Sequence, residues 1–326
     1  MIPLSVLDLI PVREGGTTSQ ALAESALLAQ AAEKVGYKRF WVAEHHGMEG
    51  LAGGATSVVL AHIGNATSTI RIGAGGIMLP NHNPYVIAEQ FGTLEALFPG
   101  RVDLGLGRAP GADHRIGQTL RKDLMQAAET FPNDVVELQA RFAGDPPMPI
   151  IAGPALGANV EMWILGSSLY GAQLAAYLGL PYAFASHFAP ALLDQALQVY
   201  RDTFRPSQVL DKPQVMAAMS VLCAPTDEEA AFLATSMEQS FVAFRTGGSG
   251  RLKPPVAGYR ETMSAEAMAM MESMRAVRAV GGPVAVRESI LGFIERTQAD
   301  ELIIAGSIYD PELRCRSLAL TMQALD

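Results

Sequence analysis

Between Ile70 and Pro110 the chain reads IRIGAGGIMLPNHNPYVIAEQFGTLEALFPGRVDLGLGRAP. Ile70-Arg71-Ile72 opens a run with β-branched residues and almost no charge, as expected of a strand covered on both faces. It is expected to stop at Gly73-Ala74-Gly75-Gly76. Pro84 can open a helix, because a first-turn residue needs no N–H. Val86, Ile87, Phe91, Leu94, Leu97 and Phe98 then recur at helical spacing. Pro99-Gly100 ends that helix, and Val102, Leu104 and Leu106 start a second strand that closes on Gly107-Arg108. Two neighbouring strands that both end in glycine leave bare backbone against which a planar ligand can lie. The same glycines also suit a crowded barrel wall with no ligand.

The remainder repeats this alternation. Strands are expected at 4–10, 39–43, 162–165, 182–186, 214–223 and 301–305. Helices are expected at 19–35, 56–66, 170–178, 190–204, 227–242, 264–277, 283–297 and 311–325, with a polar helical stretch across 111–144. Thr18 or Ser19 is the expected cap of the first helix. Eight strands alternating with helices give a parallel (β/α)8 TIM barrel, with an insertion between strands 7 and 8. The chain of 326 residues, 49% hydrophobic, is read as one barrel domain over 1–326. Residues 244–280 form a mobile loop, TGGSGRLKPP at its centre, followed by an inserted helix.

A net charge of −9 argues against nucleic acid and anionic membranes as partners. The apolar start MIPLSVLDLI lacks a basic flank and reads as a first strand and not as a signal peptide. Two cysteines without metal-ligand spacing fit a reducing cytoplasm.

In such a barrel the chemistry gathers at the C-terminal ends of the strands. Those ends carry Glu44-His45-His46, Gly75-Gly76, Gly107-Arg108, Gly166-Ser167-Ser168 and Ser186-His187. Adjacent histidines at a strand end point to opposite sides, so His45 and His46 do not share an ion. The other candidate ligands are His187, Asp8 and Asp310, and no metal is expected. One histidine serving as acid/base or donor fits better; two structural histidines are the plainer alternative. Gly166-Ser167-Ser168 precedes a helix that starts near Tyr170, which makes backbone N–H groups and hydroxyls available to an anion. Arg108 can supply the counter-charge. A serine that only caps the helix is the simpler reading. Gly105-Leu106-Gly107 with Gly111 lacks the spacing of a Rossmann dinucleotide fingerprint.

The blocks WVAEHHGMEGLAGG, IRIGAGGIMLPNHNPYVIAEQFGTLEALFPGRVDLGLGRAPG and ILGSSLYGAQLAAYLGLPYAFASHF resemble the bacterial luciferase-like flavin monooxygenases, in the branch of unknown substrate. The resemblance covers most of the chain and is weakest over 244–280. It implies a TIM barrel that uses reduced FMN from a separate reductase. It also implies that oxygen adds at the flavin C4a and that the peroxyflavin then oxygenates a small hydrophobic substrate, such as an aldehyde. By this resemblance His45 is the catalytic histidine. Gly75 and Gly76 form a cis pair beneath the flavin ring. Arg108, with Gly166, Ser167, Ser168 and Tyr170, holds the phosphate. The reactive cysteine of luciferases is Gly107 here, and the glutamate of their phosphate loop is replaced by Gly-Ser-Ser. The 244–259 loop matches a lid. A homodimer through the second and third helices is also implied. The alternatives are a deazaflavin-dependent oxidoreductase, a flavin-binding protein without turnover and a metal-dependent hydrolase. Trp41, Tyr85, Phe184 and Phe188 are the expected apolar lining of the mouth, with Trp41 equally suited to the core.

Overall fold

The structure is a computed structural model that describes residues 1–109, 119–120, 123–144, 148–246 and 250–326, with backbone alone at 124 and 244–246. Its strands are β1 (Leu4–Asp8), β2 (Arg39–Val42), β3 (Arg71–Met78), β4 (Val102–Gly107), β5 (Glu161–Gly166), β6 (Tyr182–Phe184), β7 (Val215–Cys223), β8 (Arg278–Gly281) and β9 (Glu301–Ala305). Its helices are α1 (Thr18–Lys34), α2 (Thr56–Ala66), α3 (Pro84–Leu97), α4 (Leu124–Ala143), α5 (Leu169–Leu178), α6 (Leu193–Thr203), α7 (Asp227–Thr246), α8 (Ala265–Ser273), α9 (Pro283–Thr297) and α10 (Pro311–Leu325). Parallel pairing runs from β1 through β7, on to β9 and back to β1, which closes the (β/α)8 TIM barrel.

Alternation along each strand divides the core in two. Val6, Phe40, Ile72, Leu104, Ile164 and Ile304 face the helices. Leu7, Trp41, Trp163, Met216 and Ile303 fill the barrel, as period-2 geometry demands. The layer below them is charged. Arg39 lies within 3.0 Å of Asp103, Glu161 and Glu301. The two indoles rest on this layer, Trp41 Nε1 donating to Asp103 at 2.8 Å and Trp163 Nε1 to Glu161 at 2.9 Å. Burial pushes the Asp103 carboxyl up, while Arg39 and Arg71 hold it down. Ion pairs make this charged floor tolerable, since a buried carboxylate without a partner costs several kcal/mol.

Three departures from the sequence reading have physical causes. The cap of α1 is Thr17, not Thr18 or Ser19, in a reciprocal capping box with Gln20. β3 does not stop at the glycines. It runs on to Met78 because β4 keeps supplying hydrogen-bond partners, with a register shift that leaves Gly76 as an extra residue. The insertion contains a strand, β8, that pairs with the far end of β7. Its four residues follow a methionine-rich helix and carry too little pattern to be noticed.

Gly250 to Tyr259, expected as loop, is tied down. Leu252 exchanges backbone hydrogen bonds with Val12 and Glu14, and Val256 N–H donates to Thr235 Oγ1. Arg260 pairs with the buried Glu238, which also takes Arg278 of β8. Residues 247–249 of that loop, and Gly111 beyond β4, lie outside the described residues.

Candidate active site

β2 ends at Val42, and the chain leaves it as Ala43-Glu44-His45-His46. Glu44 is 1% exposed. Its Oε1 accepts from His46 Nε2 at 2.6 Å and from His82 Nε2 at 2.8 Å, and its Oε2 accepts from the Met78 N–H at 3.0 Å. Burial would raise the pKa of this carboxyl, but the hydrogen bonds of His46, His82 and Met78 bring it down to about 2. The hydrogen bond to Glu44 raises His46 in return.

His45 turns away from this cluster, as expected for adjacent residues. Its Nδ1 is shut off from solvent and has no partner among the described residues, and the same holds for Nδ1 of His187, just beyond β6. Burial depresses both pKa values. Repulsion from His45, felt only once that ring is protonated, adds to the effect on His187, which falls to about 4. Both imidazoles are therefore neutral near pH 7. Buried ring nitrogens without partners at the mouth of a barrel are groups awaiting a ligand.

Gly107 faces Leu165 across the β4–β5 ladder, which brings Arg108 beside the Gly166-Ser167-Ser168 turn. Its guanidinium lies 4.1 Å from the centre of the Tyr170 ring. Ser168 is the N-cap residue of α5, yet its hydroxyl makes no capping hydrogen bond. The simple capping reading of that serine is thus not what the structure has. The exposed residues Ser167 and Ser168, the N-terminus of α5 and Arg108 lie together, and each offers donors of the kind an anion takes.

The glycines divide. A Cβ at Gly75 would come within 2.8 Å of Leu7 Cδ1 and 3.0 Å of Trp41, and one at Gly76 within 2.3 Å of Leu165 Cδ1. Their smallness is required by the barrel's own filling. At Gly107 the nearest atom would be 3.7 Å away, so that position is open. The Gly75–Gly76 peptide bond is cis.

Of the aromatics expected at the mouth, Trp41 and Phe184 are both 1% exposed and belong to the core. Tyr85 stacks with Arg141 in the helical layer, and only Phe188 is exposed. Alternation put Trp41 inside the barrel and Phe184 against the helices. The residue that sequence reasoning missed is His82, which no strand-end rule selects because it follows a 3-10 turn, Leu79–Asn81. Asp8 and Asp310, weighed as ligands, are taken up elsewhere: Asp8 by Arg314, Ser25 and Ile10, and Asp310 by capping α10. Among the described residues, no helix is long and apolar enough to cross a membrane.

Residues 2–301 match the family model described as luciferase-like monooxygenase. A protein of Escherichia coli K12 named luciferase-like monooxygenase is 46% identical over 322 residues, covering 98% of this chain and 96% of its own. The crystal structure of apo-MsnO8 superposes with a TM-score of 0.89 at 32% identity, covering 99% of this chain and 98% of that one. The oxygenating constituent of 3,6-diketocamphane monooxygenase from Pseudomonas putida, solved with FMN, shares the fold. Its TM-score is 0.73 at 18% identity, with 100% and 98% of the two chains covered. The chain belongs to the luciferase-like monooxygenase family, a group of oxygen-incorporating oxidoreductases.

Proposed function

We propose that this protein is an FMN-dependent monooxygenase. It takes reduced FMN from a separate reductase, and O2, and puts one oxygen atom into a small apolar organic substrate. The observation that carries this reading is that one end of the barrel strands holds Arg108 beside the uncapped Gly166-Ser167-Ser168 turn and, just beyond β2, the buried imidazole of His45. The residues fit a flavin mononucleotide. Arg108, Ser167, Ser168 and the first N–H groups of α5, with Gly166 and Tyr170 framing them, would hold a phosphate. Gly75 and Gly76 would present bare backbone to the ring system.

Reduced flavin, when bound, supplies the two electrons that activate O2. The protein supplies position and proton control. His45, neutral because it is buried, can accept or return a proton at Nδ1 beside the reacting centre. Closure of the mouth would keep water from the activated oxygen. The 244–259 loop is the proposed cover; of its described residues, Leu252 bonds to Val12 and Glu14 beyond β1 and Arg251 pairs with Glu49 beyond β2. A homodimer through α2 and α3 is the proposed assembly; Val58, Val86 and Leu97 on those helices are exposed. The proposed compartment is the cytoplasm.

The test is turnover under ¹⁸O2, with an independent reductase and a panel of apolar aldehydes and ketones. One labelled atom in an organic product supports the reading. Recovery of all the label as hydrogen peroxide, with every substrate, would favour a flavin carrier without turnover.

A further inference from the structure

We propose that Glu44, His46 and His82 form a binding site for one divalent transition-metal ion, a set that shares no residue with the proposed flavin site. One ligand atom from each of the three residues lies within 4.8 Å of the other two, and Nε2 of His46 and of His82 both contact Oε1 of Glu44. Ligand atoms about 2.1 Å from a tetrahedral ion stand about 3.4 Å apart, so a small opening of the present 2.6 and 2.8 Å contacts admits one. Two imidazoles and one carboxylate are a donor set that selects zinc-like or iron-like ions over magnesium and calcium.

The supporting geometry is preorganised. The carboxylate is buried and held from behind by the Met78 N–H, the kind of outer contact that fixes a ligand's orientation. The backbone N–H of His82 donates to Leu79 O at 2.9 Å, which fixes the turn that presents it. The two rings face each other at 6.4 Å, tilted by 50°. Their side chains are 22% and 28% exposed, so a hydrated ion can reach them, and water can complete the coordination. On binding, each neutral ring that now donates through Nε2 shifts its proton to Nδ1, and any second proton leaves to solvent. Nε2 then donates its lone pair to the ion.

The experiment is equilibrium dialysis of the full-length, tag-free protein against Co²⁺, with absorbance in the visible range and metal content by mass spectrometry. Wild-type protein should bind one Co²⁺ per chain, with the intense absorption of a low-coordinate site, and Zn²⁺ should displace it. His82→Ala and His46→Ala should each weaken binding more than tenfold. His62→Ala, an exposed histidine on α2, should leave it unchanged. Both test substitutions are at partly exposed positions, and thermal melting without metal confirms that the variants fold. No stoichiometric binding, or binding that survives His82→Ala and His46→Ala, overturns the proposal.

Discussion

Nε2 of His82 stands 2.8 Å from Oε1 of Glu44, across 38 positions of sequence. That contact joins the end of β2 to the turn after β3, and the Met78 N–H reinforces it on the other carboxylate oxygen. Glu44→Ala removes both acceptor oxygens and leaves three donors without their partner. We expect it to lower the unfolding free energy by roughly 2–4 kcal/mol. Urea denaturation measures this, and an unchanged midpoint would contradict it.

His45→Ala separates chemistry from binding. The ring contributes a nitrogen without a partner among the described residues, whereas the proposed anion-binding face is built from other strand ends. The variant should bind FMN within about threefold of wild type and lose on the order of 10²-fold or more in turnover, the usual scale of a lost acid/base group. Equal loss of binding and rate would make His45 a structural residue.

Arg108→Ala should raise the Kd for FMN by about 10- to 100-fold, the scale of one charge-assisted contact. Riboflavin, which lacks the phosphate, should bind both proteins alike. Flavin fluorescence quenching reads both constants, and parallel losses for the two flavins would show that Arg108 does not meet the phosphate.

Stability should fall as pH drops from about 6.5 to 4. The unfolded chain protonates His187 near its ordinary value, whereas the folded chain resists until about 4, so the unfolded state binds more protons throughout that window. Glu44 extends the loss with the same sign from about 4.5 to about 2. His46, raised by Glu44, acts oppositely: its contribution is present below 6.5 and disappears as pH rises through its folded value. The His187 share is on the order of 3 kcal/mol. Melting temperature measured against pH should therefore slope downward toward acid in wild type and less steeply in His187→Gln. Superimposable profiles would remove His187 from the account.

The barrel was legible because its strands are short, apolar and punctuated. The predicted bounds of 56–66, 283–297, 301–305 and 311–325 coincide with α2, α9, β9 and α10. Position at strand ends also brought out Arg108 and the Gly166-Ser167-Ser168 turn, now adjacent across the β4–β5 ladder. What sequence reasoning could not supply was direction. Nothing local says that Trp41 points into the barrel, or that Gly75 is small to make room for that indole. Nor does spacing reveal His82, whose role depends on a buried carboxylate supplied by another strand. β8 was hidden because its pairing with β7 is long-range and only four residues long.

The most direct test of the central claim is an anaerobic titration with reduced FMN, followed by an O2 pulse in the presence of the substrate panel. The expected result is saturable binding of one reduced FMN per chain, and oxygen uptake that ends in an oxygenated organic product. Failure to bind reduced FMN, together with tight binding of a reduced deazaflavin and hydride transfer without oxygen uptake, would contradict it.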